Sequence, residues 1–177
     1  MASERTRITE VLVRIRRLAL AAALAVAISA CGSPGSVKPG DTQAAVKTTA
    51  GSPTAVISLP DGGVRWQYSG QPYNQWVWNI DMDAQGRVLV VDQMMTDAAF
   101  ARIRDGKDTR ADVLRDFGPP AEAFSFPLKD ETAIMYRYFI EGGFYAAMFV
   151  YFDPQNVVKR TETGMDPWRI RDGGDRK

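Results

Sequence analysis

One stretch of the chain occurs twice, and this duplication constrains the fold more than any other feature of the sequence. Residues 109–127 reproduce the pattern of residues 42–60 at a separation of 67 positions, and further matches continue at a separation of 70. A repeat of this period, present twice, is one supersecondary unit copied in tandem. Matching pairs at the first separation include Thr42/Thr109, Ala44/Ala111, Val46/Val113, Gly51/Gly118, Pro53/Pro120, Ser58/Ser125 and Pro60/Pro127, and those at the second include Tyr68/Tyr138, Asp83/Asp153 and Val88/Val158, with Trp66 facing Tyr136.

Each copy opens with helix signals and continues with runs that alternate like strands. Thr109 offers an N-cap, and Gly118 followed by two prolines ends the helix. The sequence predicts an α+β fold of two tandem units, in each of which short helices precede a three-stranded antiparallel meander and pack on one face of the sheet. The predicted units are residues 39–95 and 96–170, with a frayed tail at 171–177. The predicted strands are residues 64–69, 75–82 and 86–95 in the first copy and residues 132–140, 144–152 and 156–163 in the second.

Residues 1–30 are predicted to be a signal peptide. Five arginines precede an apolar run at residues 18–30, which is shorter than the roughly 20 residues that a membrane-spanning helix needs. The run ends at the only cysteine of the chain, Cys31, and resembles a bacterial lipobox. We predict that Cys31 is acylated; an ordinary secretory signal is the alternative. Gly32 favours the outer membrane by resemblance to lipoprotein sorting, and residues 31–38 are predicted to be a flexible tether.

The charge balance argues against nucleic acid as a partner. Without residues 1–30 the chain keeps 17 basic and 19 acidic residues, a net charge of −2. Nucleic-acid binding requires an excess of basic residues, which this chain lacks. Because Cys31 is the only cysteine, no disulfide is expected, and a packed core must stabilise the domain.

The residue content also argues against catalysis. The chain has no histidine, which excludes Ser-His-Asp and Cys-His catalysis and histidine-bound zinc. Asp83 and Asp153 occupy matching turn positions, so we interpret them as turn formers rather than as an acid/base pair. Residues 81–92 approach the spacing of a calcium-binding loop, but strand-like alternation on both sides favours a hairpin turn. We therefore predict no enzymatic activity, no metal and no cofactor.

Alternation along the central strands predicts which faces are buried. In the first copy Trp76, Trp78, Ile80 and Met82 form the expected core face, and Gln75, Val77, Asn79 and Asp81 form the expected solvent face. In the second copy the face opposite the core is apolar as well. Either it is an exposed contact surface, or Trp168 and the tail, or a helix, cover it. The residues predicted to bind a partner there are Arg137, Phe139, Tyr145, Phe149 and Tyr151.

The order of elements resembles a known family. Short helices, a Gly-x-Pro helix end and a meander with Asp-x-x-Gly in its last turn, on a lipobox-bearing chain, resemble the BamE (SmpA/OmlA) lipoprotein family, and the tandem units resemble the architecture of β-lactamase inhibitor proteins. The resemblance implies a periplasm-facing outer-membrane lipoprotein without enzymatic activity, whose partner is an envelope protein such as a component of the barrel-assembly machinery. A tethered inhibitor or ligand-binding protein is the alternative. The resemblance covers residues 37–165 and rests on residues 106–108, Ala111, Val113, residues 118–120, Tyr136, Tyr138, Val150, Phe152, Asp153 and Val158.

Overall fold

The computed structural model describes residues 32–169 and contains two four-stranded antiparallel sheets. In each sheet the strands lie in sequence order, so every neighbouring pair is joined by a direct connection. Among residues 32–169, no helix is long and apolar enough to cross a bilayer. The first sheet consists of β1 (Ala55–Ser58), β2 (Val64–Ser69), β3 (Val77–Met82) and β4 (Val88–Gln93), and the second of β5 (Glu122–Phe126), β6 (Glu131–Phe139), β7 (Tyr145–Phe152) and β8 (Val158–Met165).

The helices are short, and threonine side chains cap them. Thr42, Thr96 and Thr109 each accept a hydrogen bond from the backbone N–H three residues later. Thr109 and Asp112 form a full capping box, which satisfies two otherwise unpaired N–H groups at the helix start. The helices are α1 (Gln43–Ala50), α2 (Asp97–Phe100) and α3 (Arg110–Phe117), together with 3₁₀ helices at Pro34–Ser36 and Pro127–Lys129, and residues 167–169 are helical as well.

Equivalent contacts recur in the two halves, as expected for a duplicated unit. The Tyr68 hydroxyl donates to the Gly51 carbonyl at 3.0 Å, and the Tyr136 hydroxyl donates to the Gly118 carbonyl at 2.8 Å. This pairs Tyr68 with Tyr136 at a separation of 68, so the alignment of Tyr68 with Tyr138 is wrong. The separation between equivalent positions of the two copies is 67 residues in the first strand of each sheet and 68 in the second strand. It rises to 70 in the third strand. Gaps of this kind are invisible when a pattern is matched at one fixed separation.

The prediction of three-stranded meanders is wrong, because each sheet has an additional first strand. Residues Ala55–Ser58 pair with β2, and residues Glu122–Phe126 pair with β6. Both additional strands are edge strands of four or five residues, and edge strands carry a weak burial pattern because one side has no neighbour. The broad α+β class does fit the structure.

Helices pack on both faces of the first sheet, which also corrects the prediction that they occupy one face. Val46 of α1 packs with Trp66 and Ile80 on one face. Val77 of the same sheet instead joins a core with Phe100 of α2 and further residues of α3 and the second sheet. The molecule is therefore layered: α1, first sheet, α2 with α3, second sheet.

The face of the first sheet that was predicted to meet solvent is buried against α3. Val77 is fully buried and Asn79 nearly so. The Asn79 amide donates to the Asp116 carbonyl at 2.8 Å, and the Gln67 amide donates to the Arg115 carbonyl at 3.1 Å. These carbonyls belong to the last turn of α3, where helical partners are missing. The Asn79 and Gln67 side chains therefore donate hydrogen bonds to the C-terminal end of α3 and not to water.

The segment before α1, which lies in the predicted tether, contacts the first sheet at two buried residues. Pro34 and Val37 are buried, and Gly35 lies so close to the Trp78 ring that a β-carbon there would come within 2.6 Å of it. The domain is therefore ordered from Gly32 onward. Cys31, the predicted signal peptide at residues 1–30 and the predicted tail at residues 171–177 lie outside the described residues.

Candidate functional site

Four aromatic side chains form a continuous patch on the outer face of the second sheet, and we call them the aromatic quartet: Phe124, Phe126, Phe149 and Tyr151. The Phe149 ring lies 6.0 Å from Phe124 and 6.5 Å from Tyr151, and Phe126 lies 6.1 Å from Tyr151, measured between ring centroids. Ala133 stands between Phe124 and Tyr151 in the strand register. Its small side chain lets the rings on either side close over it.

Ion pairs hold the rim of the quartet. The Arg160 guanidinium lies over the Tyr151 ring at 3.7 Å and binds Glu131 at 3.0 Å and Glu162 at 2.7 Å. Lys159 also binds Glu131, and its hydrogen bond, with that of Arg160, lowers the pKa of the Glu131 carboxyl. Burial raises the pKa of the Tyr151 hydroxyl. The charges of Lys159 and Arg160 are thus paired with those of Glu131 and Glu162. A partner would therefore contact mainly the aromatic rings of the patch.

Arg137 does not belong to the exposed surface. Its side chain is 8% exposed, pairs with Asp166 at 2.8 Å and donates to the Pro72 carbonyl at 2.7 Å. The guanidinium lies 4.5 Å from the Trp168 ring. Arg137 therefore joins the first half, the second sheet and the segment after β8. Trp168 covers Arg137 on the outer face, whereas Phe126 of the quartet is exposed.

The other two predicted residues, Phe139 and Tyr145, lie apart from the quartet. Their rings are 4.6 Å apart at the β6–β7 hairpin, and the Arg169 guanidinium lies 3.6 Å from the Tyr145 ring. The five residues predicted as one surface thus divide into three places: Phe149 and Tyr151 in the quartet, Arg137 beneath Trp168, and the Phe139–Tyr145 pair at the hairpin.

Phe124 and Phe126 escaped the sequence interpretation because no strand was predicted there. The signal was present, since Glu122–Phe126 alternates with both phenylalanines on one side. A five-residue run before a proline is too short for alternation to be decisive. The pairing of β5 with β6 brings these rings beside Phe149 and Tyr151.

The quartet occupies positions that are covered by a helix in the first half. Matching the strand registers of the two sheets places Asn79 where Phe149 lies and Asp81 where Tyr151 lies. In the first sheet this face receives α3, whereas on the second sheet a helix begins at residues 167–169 and places Trp168 over Arg137. The second copy of this helix-binding face therefore carries rings where the first copy has Asn79 and Asp81, and these rings are partly or fully exposed.

The aspartates considered for catalysis or calcium have structural partners. Asp83 accepts hydrogen bonds from the Gln85 and Arg87 backbones, and Asp153 accepts the equivalent pair in the second half, which confirms the turn-former interpretation. Asp81 is bound by Arg65 at 2.7 Å. Within residues 32–169, no group of histidine, cysteine and acidic side chains could hold a metal ion.

A polar cleft also lies between the halves, and its acidic groups are engaged by other residues of the chain. Asp112 serves the cap of α3, and hydrogen bonds from Thr109 lower the pKa of its carboxyl. A hydrogen bond from Arg104 lowers the pKa of Asp108. Asp116 binds Arg65 across the halves at 2.9 Å. The acidic side chains of the cleft therefore cap α3 or form ion pairs, one of which joins the two halves.

Comparison with known proteins adds no relative. No protein-family model matches the chain, and no curated protein matches it. The geometry of the aromatic quartet is therefore the basis for a functional proposal.

Proposed function

We propose that this chain is an outer-membrane lipoprotein that faces the periplasm and acts as a non-enzymatic interaction or scaffold module in envelope assembly. The observation that carries the proposal is the partly exposed aromatic quartet. Aromatic side chains are enriched at protein interfaces because they contribute large contact areas at a low cost in conformational entropy. The lipobox-like sequence at Cys31 and the resemblance to the BamE (SmpA/OmlA) family support the proposed location and role.

The first half indicates what kind of surface fits the quartet. There, the equivalent face binds a helix through the amides of Gln67 and Asn79, which reach the helix-end carbonyls. The second half has Phe149 in place of Asn79 and Met135 in place of Gln67, and the rim charges of the quartet are neutralised by Glu131 and Glu162. The partner surface that fits is an apolar face of a helix, laid across β5, β6 and β7.

Photo-crosslinking in living cells tests this proposal. We expect a photoreactive phenylalanine analogue at Phe149 or Tyr151 to yield an adduct with an envelope protein, because both positions lie inside the contact surface. The matched control is the same analogue at Leu89, which is exposed on β4 of the first sheet. Adducts would be identified by mass spectrometry.

The identity of the adduct separates the alternatives. A component of the barrel-assembly machinery supports the scaffold role, and a soluble periplasmic enzyme supports a tethered inhibitor instead. Equal yields from Phe149 and Leu89, or no adduct from the quartet, would contradict the proposal.

A further inference from the structure

The long connections of the two sheets lie at the same end of the molecule. In the β2–β3 connection, the Gln71 side chain donates to the Arg137 carbonyl of β6 at 2.6 Å and accepts from the Arg137 N–H at 3.2 Å. Just after β4, Asp97 accepts from the Tyr138 hydroxyl at 2.8 Å and from the Glu141 N–H at 3.1 Å. We call this side the hairpin end and define it by residues 70–76, residues 139–145 and Met165.

The described chain begins at this same end. A β-carbon on Gly32 would come within 2.6 Å of the Thr49 carbonyl, so Gly32 lies against the last turn of α1. That turn is fixed beside the end of β2, because the Tyr68 hydroxyl donates to the Gly51 carbonyl. Since residues 32–38 are packed rather than loose, the chain that precedes Gly32 joins the domain close to the hairpin end.

The hairpin end carries exposed apolar side chains and little charge. Tyr73 is 79% exposed, Phe144 71% and Met165 73%, and Phe139 and Tyr145 are exposed beside them. Its β2–β3 connection contains no charged residue, and its β6–β7 connection contains one, a glutamate. The opposite end is strongly charged, with Asp83, Arg87, Asp105, Lys107, Lys129 and Asp130 in its turns.

We propose that the hairpin end is a membrane-contact surface that rests in the interfacial layer of the bilayer. This inference rests on the proposed acylation of Cys31, which ties the chain to lipid immediately before Gly32. Aromatic rings with an apolar body and a polar edge favour the membrane interface, and buried apolar area adds to the affinity that acyl chains provide. The opposite end would lose more hydration free energy there, because its turns carry more charged side chains than this end, where Glu141, Asp97 and Arg169 lie.

The contact would also orient the interaction site. Phe126 and Tyr151 lie toward the charged end of β5 and β7, because Phe126 is the last residue of β5 and Tyr151 the second-last of β7. With the hairpin end in the headgroup layer, the quartet stands on the side of the domain in water. A periplasmic partner can then reach it while the protein stays anchored.

Depth measurement in vesicles tests the membrane contact. The full chain carries Phe144→Cys or Tyr73→Cys, is purified from bacterial membranes, labelled with a fluorescent thiol reagent and reconstituted into phosphatidylcholine vesicles. Because Cys31 is the only native cysteine and acylation blocks its thiol, the label reports the new position. Quenchers attached to the lipid chains are expected to quench both labels at least about threefold more than a label at Leu128→Cys. Leu128 is 103% exposed at the opposite end, so it is the matched control.

The outcomes separate this inference from the proposed function. A protein that reaches the membrane fraction but shows equal quenching at Phe144 and Leu128 overturns the membrane contact and leaves the anchor intact. A chain purified from membranes in which mass spectrometry finds no acyl group on Cys31 overturns the acyl anchor itself. Quenching at Tyr73 supplies the same test if the Phe144→Cys protein fails to fold.

Discussion

Replacing Arg137 with methionine is expected to lower the free energy of unfolding by about 3–5 kcal/mol, because it leaves the Asp166 carboxylate buried without a partner. The Asp166 side chain is fully buried, and the pair is bound at 2.8 Å. Arg137 also holds the Pro72 carbonyl of the first half. Its loss therefore weakens the packing of the two halves as well as the ion pair. Urea unfolding of the purified protein measures the change.

Two controls separate this effect from a simple loss of charge. Arg169→Met removes a guanidinium that lies over an exposed tyrosine and is expected to cost no more than about 0.5 kcal/mol. The double variant Arg137→Met with Asp166→Leu removes both charges and should recover part of the loss. A loss below about 1 kcal/mol for Arg137→Met would show that this arginine is a surface residue after all.

Phe100→Ala is expected to destabilise the protein by about 3–5 kcal/mol, because it empties the centre of the helix layer. The Phe100 ring stacks on Phe117 at 5.0 Å and meets Tyr138 edge-on at 4.9 Å. This layer is shared, since Val77 of the first sheet and residues of the second sheet belong to the same core. Both sheets should therefore be lost in one cooperative transition, which calorimetry and denaturant unfolding can test.

The control for Phe100 is Phe144→Ala, which removes an exposed phenylalanine and should change stability by no more than about 0.5 kcal/mol. Two separate unfolding transitions in the Phe100→Ala protein would contradict the shared layer, because they would mean that each sheet holds its own core.

The sequence predicted the central strands well and the stacking of the halves poorly. The strands β2, β3, β6 and β7 are runs of six to nine residues that are rich in apolar side chains and bounded by turn residues, which makes them recognisable in the sequence. The edge strands β1 and β5 are short, so their pattern did not stand out from the turns around them. Phe124 and Phe126, which complete the quartet, were missed for that reason.

Polar residues misled the interpretation of the first sheet. Asn79 and Asp81 alternate as a solvent-facing set would, but amide and carboxylate groups can bind helix ends and arginines as readily as water. Only the stacked arrangement shows that Asn79 reaches α3 and that Asp81 binds Arg65. Likewise, the position of Arg137 among aromatic residues suggested a binding site. Its ion-pair partner Asp166 lies 29 positions further along the chain, so the local sequence pattern did not connect the two residues.

Thiol protection in the cell envelope tests most directly the central claim that a partner covers the aromatic quartet. A cysteine at Phe126, which is exposed, should react with a membrane-permeant maleimide quickly in the purified protein and slowly in intact envelopes. A cysteine at Leu89, on the first sheet, should react at the same rate in both preparations. Equal rates for Phe126→Cys in purified protein and in envelopes would contradict the claim, because the quartet would then be open where its partner should be bound.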